Sequence, residues 1–242
     1  MKTVAIIQAR MASTRLPGKV MSLINNQPML AYVVIRAKKA KQIDEVLIAT
    51  STHPADDAIE AFCEKEHVSY FRGSMIDVLS RYYKAAIKYQ ADVVIRITSD
   101  CPLIDGTLID QGLTNFKKAG VDYLSNLIER TFPRGFDFEI FTFVALEKAF
   151  LNAKDASERE HVTPYIYFTH PQDFKILNFR QKEDKSVYQI TVDTPQDLEL
   201  LKILIEQYNA DKLNYKQIIT LLDSHPELVA INKEVKRKHY GQ

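Results

Sequence analysis

Four short apolar runs constrain this chain more than any other feature: residues 4–7, 44–50 (DEVLIAT), 68–71 and 92–98 (DVVIRIT). The second has a continuously apolar centre, which is how a strand covered on both faces reads. Between them lie stretches with helical periodicity. Pro28 opens the first, with Leu30, Val33, Val34 and Ala37 on one stripe and Lys38, Lys39 and Lys41 near its end, where cations are favoured. Asp56 and Asp57 open the next, which carries Ile59, Phe62 and Cys63 on one face. A third shows Met75, Val78, Leu79, Tyr82, Tyr83, Ala86 and Ile87 at a 3.6-residue period. Residues 107–116 read as helix and 122–125 as extended. The order β-α-β-α-β-α-β calls for an α/β fold, a mainly parallel sheet with helices on both faces.

After residue 126 the texture changes. Residues 130–135 read as a loop. Phe136, Phe138 and Ile140 then alternate with Asp137 and Glu139, which predicts a half-buried strand with one polar face. A helix over 143–150 follows, then another over 157–168, with Ser157 and Glu160 spaced for a capping box and Pro164 to kink or end it. Residues 174–179 and 187–192 read as strands joined by a charged turn. Thr194 is placed to cap a helix that begins at Pro195. Two short helices and a basic stretch at 233–238, read as a solvated helix end, complete the chain. The simplest organisation is one domain over 1–242 with an inserted lobe at about 126–185.

Charge decides where function can lie. The 242 residues hold 32 Lys+Arg against 31 Asp+Glu, so no global field draws nucleic acid and any cationic function must be local. Two cysteines cannot build a disulfide framework or a four-thiolate metal site. No stretch approaches the ~18 apolar residues of a spanning helix, so membrane insertion is not expected. The first apolar run is too short for a signal peptide, and a cytoplasmic location is the expectation.

The local cations are Arg10, Arg15 and Lys19, in a loop that follows the first strand and closes on Pro17-Gly18. Arginine offers phosphate a planar fork of donors, lysine offers a mobile point charge, and glycine allows close backbone approach. Such a loop suits a polyphosphate; the bland alternative is scattered surface charge. It is not a P-loop, because Ser13 stands where the first glycine belongs and Val20 replaces the hydroxyl residue. Asp100 lies two residues beyond Thr98, at the carboxyl edge of the sheet, where open α/β sheets bind ligands. Ser99 or Asp105 could orient waters there. Asp193 repeats that placement after residues 188–192. Two carboxylates at adjacent strand ends are the minimum protein share of a magnesium (Mg2+) site. Helix or turn capping is the alternative for each.

A fourth group comprises Arg134, Asp137, Glu139, Arg159 and His161. Asp137 and Glu139 would share one face of a strand, with Arg159 and Glu160 pairing to them across the lobe. The patch would hold a polar or anionic co-substrate or be ordinary salt bridges, and His161 could accept a proton from an attacking hydroxyl. Cys101 has a proline beside it and no histidine near in sequence, against nucleophilic use. Together these parts allow phosphoryl or nucleotidyl transfer without a covalent intermediate.

The segments AIIQARMASTRLPGK (5–19), FRGSMIDVLSRY (71–82), VIRITSDCPLID (94–105), FPRGFDFEIF (132–141), SEREHVTPYIY (157–167) and TVDTPQDLELL (191–201) also make the chain resemble the cytidylyltransferases that activate acidic and related sugars, most closely the spore coat polysaccharide biosynthesis protein F type. The resemblance implies a three-layer nucleotide-diphosphosugar transferase fold, usually a homodimer, and CTP- and magnesium-dependent transfer of CMP. By position it puts Arg10, Arg15 and Lys19 on the triphosphate and Ala9 and Arg10 near the base. It makes Asp100 and Asp193 the metal carboxylates and puts Arg134, Asp137, Glu139, Arg159 and His161 in the co-substrate and dimer-arm region. Arg72, Asp77 and Arg81 fall beside the nucleotide. IIQARMAS replaces the IPAR of the sugar-acid enzymes and TSD replaces their TGD, which weakens the expectation of a keto-acid sugar. A sugar-transferring enzyme on a related fold is an alternative, though it would usually show two aspartates one residue apart, and Asp100 is separated from Asp105 by four residues. A non-catalytic nucleotide-binding or scaffold subunit is another.

Overall fold

The computed structural model describes residues 1–236 of the chain. Strands β1 (Thr3–Gln8), β4 (Glu45–Ser51), β5 (Ser69–Gly73) and β6 (Val93–Thr98) pair in parallel, as the four apolar runs predict. A two-stranded ribbon of β2 (Leu23–Ile24) and β3 (Gln27–Pro28) precedes helix α1 (Met29–Ala37). Helices α2 (Asp57–Lys65) and α3 (Val78–Lys88) form the next two crossovers, and α4 (Gly106–Ala119) leads to β7 (Tyr123–Ser125). The sheet order is β5-β4-β1-β6-β8-β7-β9, with β8 (Glu139–Thr142) antiparallel to both neighbours and β9 (Ile176–Asn178) parallel to β7. Segment 126–185 thus adds two strands to the main sheet.

The period of two in a strand sends alternate residues to opposite faces. Ala5 and Ile7 of β1 join one core with α1, α2 and α4, and with α7 (Pro195–Glu206), α8 (Tyr215–Ser224) and α9 (Pro226–Ala230). Val4 and Ile6 join the other, with α3 and α5 (Phe143–Asn152). This is the three-layer arrangement. No helix among the described residues is long and apolar enough to cross a membrane.

Several local expectations are corrected. The strand predicted over 136–140 begins only at Glu139, and its outward face is not solvated: Glu139 is 3% exposed. Residues 187–192 form no strand. Their backbone groups go to other partners: Tyr188 O accepts from Arg134 N, Ile190 N donates to Arg134 O, and Val192 N donates to Asp100 O. The helix expected over 157–168 is α6 (Ala156–His161), capped by Asp155 rather than Ser157, followed by a π-type turn over Tyr165–Thr169. Helix α3 starts after its cap Asp77, leaving Met75 outside, and Ile87 is half exposed. Thr194 caps α7 reciprocally with Asp197, as expected. Of the basic stretch, 233–234 lie in a turn and 237–238 lie outside the described residues.

Gly106 shows how tightly α4 is seated behind the loop that carries Asp100. A Cβ there would lie 2.5 Å from Ala40 N and 2.8 Å from Lys39 C, both backbone atoms that cannot rotate away. Gly106→Ala is expected to destabilise the fold by ~1–3 kcal/mol, read as a melting temperature lowered by about 2–12 °C.

Candidate active site

The carboxyl ends of β1 and β6 lie side by side, with Gln8 in register with Thr98, so the loops that follow them share one edge of the sheet. The loop after β1 folds back on itself: Met11 N donates to Asp56 Oδ1 at 2.7 Å, and Gly18 N donates to Met11 O at 3.0 Å. Gly18 holds φ at +70°, a left-handed conformation that costs a residue without a Cβ little. This reversal delivers Lys19, which is 8% exposed, into the sheet edge.

There Lys19 Nζ donates to Val192 O at 2.6 Å and to Asp193 Oδ1 at 2.8 Å, with Asp100 Oδ2 at 3.8 Å. Arg15 reaches the other oxygen of Asp193 at 2.9 Å. The loop and the two predicted carboxylates therefore form one cluster, two cations against two anions. Asp100 is oriented by the Thr98 hydroxyl. Cys101 beside it is buried, and burial together with Asp100 pushes its thiol well above the ordinary range, so it stays protonated at neutral pH and is no nucleophile. Asp105 takes no part. It caps α4 through Leu108 N at 2.8 Å, accepts from Tyr215 N at 3.0 Å and lies 3.5 Å from Arg36.

Among the described residues no group of three or more His, Cys, Asp or Glu side chains could hold a metal. The cluster offers two carboxylates that converge on one cation position. That donor set fits magnesium, which is held by one or two carboxylates and takes its remaining oxygens from substrate phosphates and water.

The other predicted residues separate. Ala9 is buried at the start of the loop. Arg10 is exposed, 3.8 Å from Glu160. Arg72 is engaged by Ser51 O, His53 O, Asp57 and Glu60 at the edge strand. Asp77 caps α3 and receives two hydrogen bonds from Arg159, at 3.0 and 2.7 Å, which ties α6 to α3. Arg81 is 2% exposed; its guanidinium donates to Ser74 O while its Nε has no partner, and burial holds its pKa below the ordinary value. Arg134 bridges through its backbone to Gln189.

Asp137 and Glu139 do not form the shared polar face expected of them, nor pair with Arg159 and Glu160. Asp137 binds Arg130 in the preceding loop. Glu139 is in antiparallel register with Arg96, so the two meet across the sheet and form a buried ion pair. Glu139 also accepts from Tyr123 OH at 2.6 Å and from the Thr163 hydroxyl. Burial disfavours the Arg96 cation, but Glu139, Tyr82 and Tyr123 together outweigh it and raise its pKa. The sequence carries a signal for this pair: an arginine inside an apolar strand must meet a carboxylate or an acceptor cage. Arg96 Nε donates to Gln8 Oε1 at 3.2 Å, linking this pair to the end of β1.

Comparison with known proteins shows the family. The chain belongs to the cytidylyltransferase family, whose profile matches residues 4–220. An uncharacterised protein of Methanocaldococcus jannaschii is 39% identical over 100% of this chain and 99% of its own length. The spore coat polysaccharide biosynthesis protein SpsF of Bacillus subtilis is 33% identical over 92% of this chain and 94% of its own. A cytidylyltransferase structure from Leptospira borgpetersenii serovar Hardjo-bovis superposes with a TM-score of 0.91 at 35% identity, covering 99% of this chain and 100% of the other. The fold is that of the nucleotide-diphosphosugar transferases.

Proposed function

We propose that the chain is a magnesium-dependent enzyme that transfers CMP from CTP to a hydroxyl of a sugar, with release of pyrophosphate, in the synthesis of a polysaccharide or glycoconjugate. The observation that carries this reading is the Lys19 ammonium held between Asp100 and Asp193, with Arg15 on the far side of Asp193. Two cations and two carboxylates neutralise one another at the sheet edge. An arriving triphosphate gives Lys19 and Arg15 new anionic partners and leaves the two carboxylates facing each other, a repulsion that a divalent cation relieves. When bound, that ion polarises the α-phosphate. Lys19 and Arg15 hold the phosphate oxygens and neutralise the charge that develops on the pyrophosphate as it leaves. Thr98 keeps Asp100 oriented throughout. The SpsF relative, a polysaccharide biosynthesis protein, supports a sugar as the acceptor.

The test is pyrophosphate release, with each of the four nucleoside triphosphates offered beside a panel of sugars, sugar acids and sugar phosphates. CTP is expected to give magnesium-dependent release with at least one acceptor. Release of UDP or CMP from a nucleotide-sugar, with no pyrophosphate from CTP, would remove the proposal.

A further inference from the structure

Asp193 has no strand to hold it. On the cluster's side, the segment that leads into it is bound by the cluster itself. Lys19 Nζ donates to Val192 O and to the Asp193 carboxylate, and Val192 N donates to Asp100 O. In the reaction proposed above, Lys19 turns to the triphosphate. Its two bonds are therefore given up at the moment the carboxylate must hold a cation. What keeps Asp193 in place then has to come from behind.

It comes from the C-terminal segment. Asp193 N and Thr194 N donate to Asp197 Oδ2 at 3.0 and 2.9 Å, and the Thr194 hydroxyl joins them at 2.9 Å. The other oxygen of that carboxylate, Oδ1, accepts from Asn232 Nδ2 at 2.7 Å. The second N–H of the same amide donates to Gln189 O at 3.0 Å. Both neighbours are acceptors, which fixes the amide with its nitrogen toward them. Asn232 thus ties the segment entering Asp193 to the group that holds Asp193's own amide. Asp197 and Asn232 are both buried, where a hydrogen bond to a carboxylate is strong and a lost one costly.

Asn232 is itself well anchored. Leu228 of α9 and Ile231 pack on the core shared with α7 and α8, and Val235 N donates to Asn232 O at 3.1 Å. Further along, Lys236 O accepts from Arg15 Nη1 at 3.4 Å, and Nη2 of the same guanidinium is what reaches Asp193. One short segment therefore meets the cluster at two points, behind Asp193 and at the cation opposite it. It lies outside residues 4–220, the stretch that the family's profile matches, so family membership assigns it no role.

We propose that Asn232 is a positioning residue for the metal site: through Asp197 and Gln189 it fixes the backbone that presents the Asp193 carboxylate to the divalent cation of a metal–triphosphate complex. The inference rests on the cytidylyl-transfer reading. Asn232 touches neither metal nor nucleotide. With its tie cut, the Asp193 carboxylate, Lys19 and Arg15 are all still present, but the carboxylate drifts. Magnesium demands near-ideal octahedral geometry, and a misplacement of about 1 Å is enough to spoil such a site.

Calorimetry on the full chain measures CTP affinity twice, in magnesium and in a chelator, for the wild type, Asn232→Ala and Asn232→Asp. In the wild type, magnesium is expected to tighten CTP by about tenfold or more. Asn232→Asp sets a carboxylate against Asp197 and Gln189 O, and should cut that gain to about twofold or less. Asn232→Ala admits water to both acceptors and should lose a smaller part of it. In the chelator, both variants should bind CTP at least as tightly as the wild type, because Lys19 and Arg15 remain. A melting curve checks that each variant folds, and Asn232→Ala alone decides if the aspartate variant does not. A purely structural Asn232 would lower the melting temperature and the binding stoichiometry while leaving the magnesium gain at its wild-type value, which overturns the proposal. Equal weakening in magnesium and in chelator would place the effect in the phosphate loop and overturn it too. A wild type that binds CTP no better with magnesium removes the metal reading itself, and this inference with it.

Discussion

Asp193→Ala is expected to lower kcat about a thousandfold, or ~4 kcal/mol in activation free energy, while the protein melts at nearly the wild-type temperature. The first half follows from the Lys19 cluster, in which Asp193 and Asp100 are the two carboxylates that face the Lys19 ammonium among the described residues. The second follows from the capping of α7, which Thr194 and Asp197 perform for each other without the Asp193 side chain. The variant separates metal from nucleotide as well. Removing Asp193 deprives Lys19 and Arg15 of their strongest competitor for phosphate, so CTP in the presence of a chelator should bind as tightly as to the wild type or more so, by calorimetry. Magnesium should then add nothing to that affinity. Asp100→Ala should give the same kinetic loss, with a smaller gain in metal-free binding, since its carboxylate stands 3.8 Å from Lys19 rather than 2.8 Å. Near-wild-type turnover of either variant would mean that the pair does not hold the ion.

The part of this site that was legible in the sequence is the part built from loops at parallel strand ends. Apolar runs of four to seven residues separated by helical periods specify a parallel sheet, and a parallel sheet places everything after Gln8 and after Thr98 on one edge. That rule puts the loops of Arg15, Lys19 and Asp100 on one edge, and the reversal at Gly18 then turns Lys19 into it. Asp193 joins them for a different reason than the one anticipated. Residues 187–192 are not a strand of the sheet; Val192 is held by Asp100 through its amide and by Lys19 through its carbonyl, so its polar groups serve the cluster instead of a ladder. The partner of Arg96 was not legible, because it depends on β8 running antiparallel between β6 and β7. Alternation in residues 136–140 predicts which residues share a face, but not which strand they will meet. Register alone turns Glu139 from an outward carboxylate into the counter-charge of a buried arginine.

That pair carries the largest stability prediction. Glu139→Ala leaves the Arg96 guanidinium and the Tyr123 and Thr163 hydroxyls without their common acceptor in the sheet interior. Breaking a buried ion pair from one side costs ~3–5 kcal/mol, which for a chain of this length lowers the melting temperature by about 6–20 °C. The double variant Arg96→Met with Glu139→Leu should recover most of that loss, because replacing both charges by apolar groups of similar volume removes the desolvation penalty together with the attraction. A single variant that melts within 2 °C or so of the wild type would show that solvent satisfies Arg96. A double variant as unstable as the single one would place the energy in the Tyr123 and Thr163 hydrogen bonds instead. Recovery of the fold without recovery of turnover is the expected outcome. An ion pair that apolar residues can replace with little loss of stability is not kept for stability alone.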